Sequence, residues 1–120
     1  MKRKENVVRE KSFLFAVRIV RLYQHLCAKK REYVLSKQIL KSGTSVGANI
    51  EEADGAISRK EFSSKISIAY KEAQESHYWL RLLRATEYIN QKEYESLIQD
   101  CNEICKLLFA ILRTTRMNKQ

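Results

Sequence analysis

The chain has 120 residues, no proline and three glycines, Gly43, Gly47 and Gly55. That length fits one domain and the composition argues against a turn-rich β fold or a two-domain enzyme. Lys and Arg number 23 against 14 Asp and Glu, a net charge of +9, which suits an anionic partner and specifies no reaction.

The first predicted helix covers about Asn6 to Cys27, where Val8, Phe15, Ala16, Ile19, Tyr23, Leu26 and Cys27 return every three or four residues. Lys4, Lys11, Arg18, Arg21, His25 and Lys29 project to the opposite side. Phe13, Leu14 and Val17 widen the apolar surface beyond one bundle seam, which fits a subunit contact. The charged stretch Ala28 to Glu32 reads as the first turn, and a second helix then runs to about Ala53. Its inward residues are Leu35, Ile39, Ser42, Val46, Asn49, Ile50 and Ala53. The small-residue stretch Ser42 to Ala48 has poor helix propensity. It allows either a kink or, through Gly43 and Gly47 four apart, close approach of another helix.

Ser58 and Glu61 have capping-box spacing and open a third helix. Phe62, Ile66, Ala69, Ala73, Ser76, Leu80 and Leu83 follow in steps of four and three, the spacing of bundle packing, and the helix is expected to end near Tyr88. Asn90 and Glu93 repeat the cap, and Tyr94, Leu97, Cys101, Ile104, Leu108, Ile111 and Thr115 form the fourth stripe. The expected fold class is all-α, an antiparallel up-and-down four-helix bundle. It forms one domain over residues 1–120, with 1–5 and 117–120 frayed.

Three cysteines without a CxxC pair, no signal-peptide pattern and no long uncharged run predict a cytoplasmic protein that does not enter a membrane. Catalytic, cofactor and metal sites are expected to be absent. Glu52, Glu72 and Glu75 lack the Glu-x-x-His partners of a di-metal bundle, since Gln74 precedes His77 by three and Leu22 precedes His25 by three. Cys101 and Cys105, one turn apart, lie on or beside the fourth apolar stripe and read as core residues before zinc ligands. Residues 43–48 lack the lysine and spacing of a phosphate loop, and no orienting group or oxyanion loop accompanies a nucleophile. Tyr78 and Trp79 read as packing residues before base-stacking ones.

Charge is distributed unevenly. Residues 1–41 hold 12 Lys or Arg against 3 Asp or Glu, whereas residues 85–104 hold one lysine against five acids. Lys11, Arg18, Arg21 and Lys29 on one helix face, extended by Lys30 and Arg31 in the turn, are the candidate nucleic-acid-binding residues, contacting RNA or DNA through phosphates. The competing reading is a scaffold whose basic face docks an acidic partner protein.

The segment from Ser42 through Ser45, Asn49, Ile50 and Glu52 to Ala53 resembles the Ser…Ser-x-x-x-Asn-Ile-x-Glu-Ala signature of the four-helix-bundle proteins associated with 23S ribosomal RNA intervening sequences. Glu61-Phe62 and the run Lys71 to Leu80 resemble that family's second segment, with Glu61 in place of Asp and Ser76 in place of Thr. The resemblance spans about Ser12 to Arg113 and implies a homopentamer of bundles without known catalytic residues. It extends to the accessory variability determinant of diversity-generating retroelements, a basic pentamer that engages a reverse transcriptase and nucleic acid.

Overall fold

The computed structural model describes residues 3–117, and side chains through Thr115, as four helices. They are α1 (Arg3–Ala28), α2 (Leu35–Asp54), α3 (Arg59–Ala85) and α4 (Gln91–Met117). Residues 3–5 and 117, expected to be frayed, are helical, so α1 begins earlier and α4 ends later than the periodicity suggests. The expected fraying of residues 1, 2 and 118–120 lies outside the described residues.

The body measures 49 × 22 × 19 Å. Each helix packs on two others: α1 on α2 and α4, and α3 on α2 and α4. Pairs along each seam run in opposite numerical order. Arg9 meets Glu51 while the Ile19 side chain lies against Gly43; Lys65 meets Glu52 while Ser76 meets Ser42; Lys11 meets Glu103 while Arg18 meets Asp100.

The core is aliphatic along its length, with Ile19, Leu26, Ile39, Ile50, Ile66, Leu80, Leu83, Ile104 and Leu108 all buried. On α3 the predicted stripe is buried from Ile66 to Leu83, and Phe62 packs against the core half-exposed. On α1 the buried set is Val8, Ser12, Phe15, Ile19, Leu22 and Leu26. Ala16, Tyr23 and Cys27, expected inside, are half-buried, because the buried stripe is shifted by a fraction of a turn towards Ser12 and Leu22.

Helix α2 is continuous through Ser42 to Ala48. Two features offset its low propensity. Gly43 is buried directly under Ile19 and Gly47 lies over the Ser12 backbone, so the two helices approach where side chains are absent. Thr44, Ser45 and Asn49 hydrogen-bond back to the carbonyls of Leu40, Lys41 and Ser45, which removes their competition with the helix.

The helix starts follow side-chain caps. The Ser58 hydroxyl accepts from the Glu61 amide at 3.0 Å, and the Glu61 carboxylate accepts from the Ile57 amide at 3.0 Å. Asn90 and Glu93 form the reciprocal pair at 2.8 and 3.0 Å. Helix α3 ends at Ala85, not near Tyr88. Glu87 turns into the left-handed region at φ 68°, and the Tyr88 amide donates back to the Leu83 carbonyl, closing the helix without a glycine.

Candidate nucleic-acid interface

The six candidate cations fall into two sets. Lys11 and Arg18 project from α1 towards α4, where the acidic segment lies. Lys11 Nζ is 2.8 Å from Glu103, whose hydrogen bond and charge push the ammonium pKa up. Arg18 contacts Asp100 at 2.6 Å and also donates to the Ser96 hydroxyl and carbonyl at 2.9 and 3.3 Å. Much of the positive charge read on α1 is therefore matched within the bundle. The helical projection placed these cations opposite the core, but it contained no information about which helix would pack beside them.

Arg21 is exposed, two helical turns before the end of α1, and among the described residues bonds its own-helix neighbour Gln24 at 3.2 Å and no acid. Lys29, Lys30 and Arg31 are exposed on the α1–α2 connection and make no ion pair among the described residues. Lys37, on the first turns of α2, is exposed as well. Lys29, Lys30, Arg31 and Lys37 thus gather about the α1–α2 connection without an ion pair among the described residues.

The backbone that carries them is fixed by Glu32, whose role the sequence reading missed. Its carboxylate is buried and accepts from the amides of Ser36, Leu35 and Val34 at 2.7, 3.0 and 3.1 Å. It supplies the cap that Val34, at the cap position, cannot offer. Burial opposes its ionisation, but those amides and the Ser36 hydroxyl outweigh burial and hold the carboxyl below its ordinary range. The Ser36 hydroxyl bonds the Glu32 carbonyl at 2.8 Å, and the Glu32 amide bonds the Leu26 carbonyl at 3.0 Å. A detectable signal was present: an acid with a serine four residues ahead, just before an apolar run.

A second surface lies on the outer side of α1. Phe13, Leu14 and Val17 are 67%, 55% and 41% exposed. Phe13, Ala16, Val17, Val20 and Arg21 line a depression of about 320 Å³.

The family model for the 23S rRNA-intervening sequence protein matches residues 4–110. The chain belongs to that family. Its fold is similar, at a TM-score of 0.90 and 56% sequence identity, to a crystal structure from Bacteroides thetaiotaomicron. That structure is of a protein of unknown function from the S23 ribosomal protein family, and the similarity covers 92% of this chain and 98% of the other. No curated protein matches.

In this member of the 23S rRNA-intervening sequence family, the remaining candidates take structural partners. Glu52 pairs with Lys65 at 2.8 Å, and Glu75 accepts from the Trp79 indole at 3.0 Å. Burial, then the charge of Glu75, raises the Glu72 pKa against the pull of Lys41. Trp79 packs against the core as expected, whereas Tyr78, read as a packing residue too, is 52% exposed and stands edge-on to Trp79 at 5.1 Å. Cys101 is buried and its thiol donates to the Ala73 carbonyl at 3.2 Å, while Cys105 is half-buried. Among the described residues, no three His, Cys, Asp or Glu side chains form a metal-sized group, and no helix is long and apolar enough to cross a membrane.

Proposed function

We propose that this protein is a non-enzymatic, homo-oligomeric bundle that binds RNA or DNA through backbone phosphates in the cytoplasm. Lys29, Lys30 and Arg31 carry this reading, because they are consecutive, exposed and unpaired on a connection whose backbone is held at both ends. Arg21 adds to them, while Lys11 and Arg18 serve the α1–α4 seam first. The opposed order of the seam pairs supports an antiparallel up-and-down bundle. The outer face of α1, with three large apolar side chains exposed, suits self-association, and family membership favours a ring of five.

The test is fluorescence anisotropy with structured RNA and duplex DNA across a salt series, alongside mass by light scattering. Steep salt dependence is expected, with each lost phosphate contact lowering the logarithmic slope by about 0.7 to 0.9. Replacing Lys29, Lys30 and Arg31 with Glu should abolish binding, whereas Glu93→Gln with Glu95→Gln should leave it intact or slightly stronger. Weak binding at low salt, or a monomer at micromolar concentration, removes the corresponding half of the proposal.

The pairing of Lys11 and Arg18 with α4 favours a second reading. Internal neutralisation leaves a smaller basic surface, suited to docking an acidic partner protein such as a reverse transcriptase, as the resemblance to the retroelement determinant implies. Retained partner binding without nucleic-acid affinity would select it.

A further inference from the structure

We infer that the α1–α2 connection is a single-strand reader, in which Tyr33 stacks on an unpaired base while Lys29, Lys30 and Arg31 hold the flanking phosphates. This inference rests on the phosphate-binding reading above and names the kind of nucleic acid that the site takes.

Tyr33 is 52% exposed, and among the described residues it makes no hydrogen bond or ring contact. A half-exposed aromatic ring without a hydrogen-bond or ring partner leaves a face available. Val34 beside it is 70% exposed, extending the apolar platform next to three free cations. Basic groups that track a phosphate chain, together with an aromatic face that receives a base, are the elements of single-strand recognition. A duplex keeps its bases stacked inside and offers such a ring nothing to stack on.

The platform is ordered before any ligand arrives. Arg31 takes a left-handed backbone at φ 53°, and Glu32 ties the amides of Val34, Leu35 and Ser36, just beyond Tyr33, to its own carboxylate. Fixing Tyr33 between these points reduces the ordering cost of binding. The same hydrogen bonds consume the first amides of α2, so the helix end itself is not the anion site and recognition falls to the side chains. The Glu32 carboxylate is buried and directed at those amides, leaving the solvent side of the connection to the three cations.

Tyr78 and Trp79, the aromatic pair in the other half of the chain, lack this setting. They contact each other, and the Trp79 indole is bonded to a carboxylate.

The experiment compares binding of a labelled oligouridine of about 20 nucleotides with an RNA duplex of about the same length. The full chain is used as wild type, Tyr33→Ala, Tyr33→Phe and a Lys29→Ala/Lys30→Ala/Arg31→Ala variant. Melting curves confirm that each folds. Tyr33→Ala should weaken oligouridine binding by about 5- to 100-fold, leave duplex binding within about twofold and keep the salt slope. Tyr33→Phe should retain single-strand affinity, and the triple variant should lose both ligands and flatten the slope. Wild-type binding that is unchanged in Tyr33→Ala, or that falls equally for both ligands, overturns the stacking inference while leaving phosphate binding in place. Wild type that binds neither ligand at low salt overturns both. An oligothymidine arm reports whether the sugar matters: equal affinity is expected, because base stacking and phosphate contact are common to both strands.

Discussion

Arg18 of α1 reaches Asp100 of α4 at 2.6 Å, and the two side chains are 38% and 43% exposed. The bidentate grip of Arg18 on Asp100 and Ser96 closes the α1–α4 seam at its middle. It also separates two properties that a net charge of +9 merges, a cation that binds a ligand and one that binds its own fold.

Arg18→Glu sets two carboxylates against each other and should lower unfolding stability by about 1 kcal/mol, as expected for a partly exposed pair. Nucleic-acid affinity should fall far less than in Lys29→Glu/Arg31→Glu. Urea unfolding and anisotropy on the same preparations measure both. A full loss of binding in Arg18→Glu, with the fold intact, would return Arg18 to the interface.

Gly43 and Gly47 belong to one small-residue stretch but should respond oppositely to alanine. A Cβ on Gly43 would lie 2.8 Å from both Cγ atoms of Ile19, close to the backbone of that side chain, where it cannot swing aside. Gly43→Ala should cost about 1–3 kcal/mol through overpacking. Combining it with Ile19→Ala should cost less than the sum of the two, because the clash is then absent. At Gly47 the nearest atoms are 3.5 Å away, an ordinary contact. Gly47→Ala should therefore gain up to about 1 kcal/mol from helix propensity. Thermal melts of the four variants decide the signs.

These glycines also show how far the chain is legible before folding. Their spacing announces a close approach between helices, and the steps from Ile66 to Leu83 announce the inner stripe of α3, because both follow from helix geometry alone. The caps at Ser58 and Asn90 are legible for the same reason, being contacts between residues three apart. Other features depend on what the chain meets later. That Lys11 and Arg18 face acids is set by the identity of the neighbouring helix. The end of α3 at Ala85 depends on a left-handed Glu87, a conformation glycine usually signals, and Glu32 caps α2 from outside the positions normally searched.

Glu32 makes stability depend on pH. Its folded pKa lies below the ordinary value of 4.5, so its contribution is complete above the unfolded pKa and is lost as pH falls through the lower folded one. Glu32→Gln keeps one acceptor oxygen but loses the charge and the second oxygen. It should cost about 0.5–2 kcal/mol at neutral pH. The gap from wild type should narrow as the pH falls below the unfolded pKa and close once it has passed through the lower folded one, where wild-type Glu32 is protonated too. Chemical unfolding at a series of pH values tests this. A gap that stays constant into acid would mean that the carboxylate charge contributes nothing to the cap.

The two cysteines of α4 should differ in reactivity although they are one turn apart. Cys105, and then burial, raise the pKa of Cys101, which stays a thiol and donates its S–H to the Ala73 carbonyl. The neighbouring Cys101 lowers the pKa of Cys105, against the effect of burial. Cys105 also lines a depression of about 310 Å³ with Tyr70, Gln74 and His77, giving a reagent access. The thiolate is the reacting species. Iodoacetamide should therefore alkylate Cys105 well before Cys101, and Cys101 should react only as the protein unfolds. Replacing both cysteines with Ala should reduce stability through the lost core volume at Cys101, with zinc and iron content unchanged at none. Peptide mass spectrometry gives the labelling order and elemental analysis the metal content. Equal labelling of the two in the folded protein would contradict the difference in their burial, and stoichiometric zinc in the wild type would make the pair a ligand set instead of core.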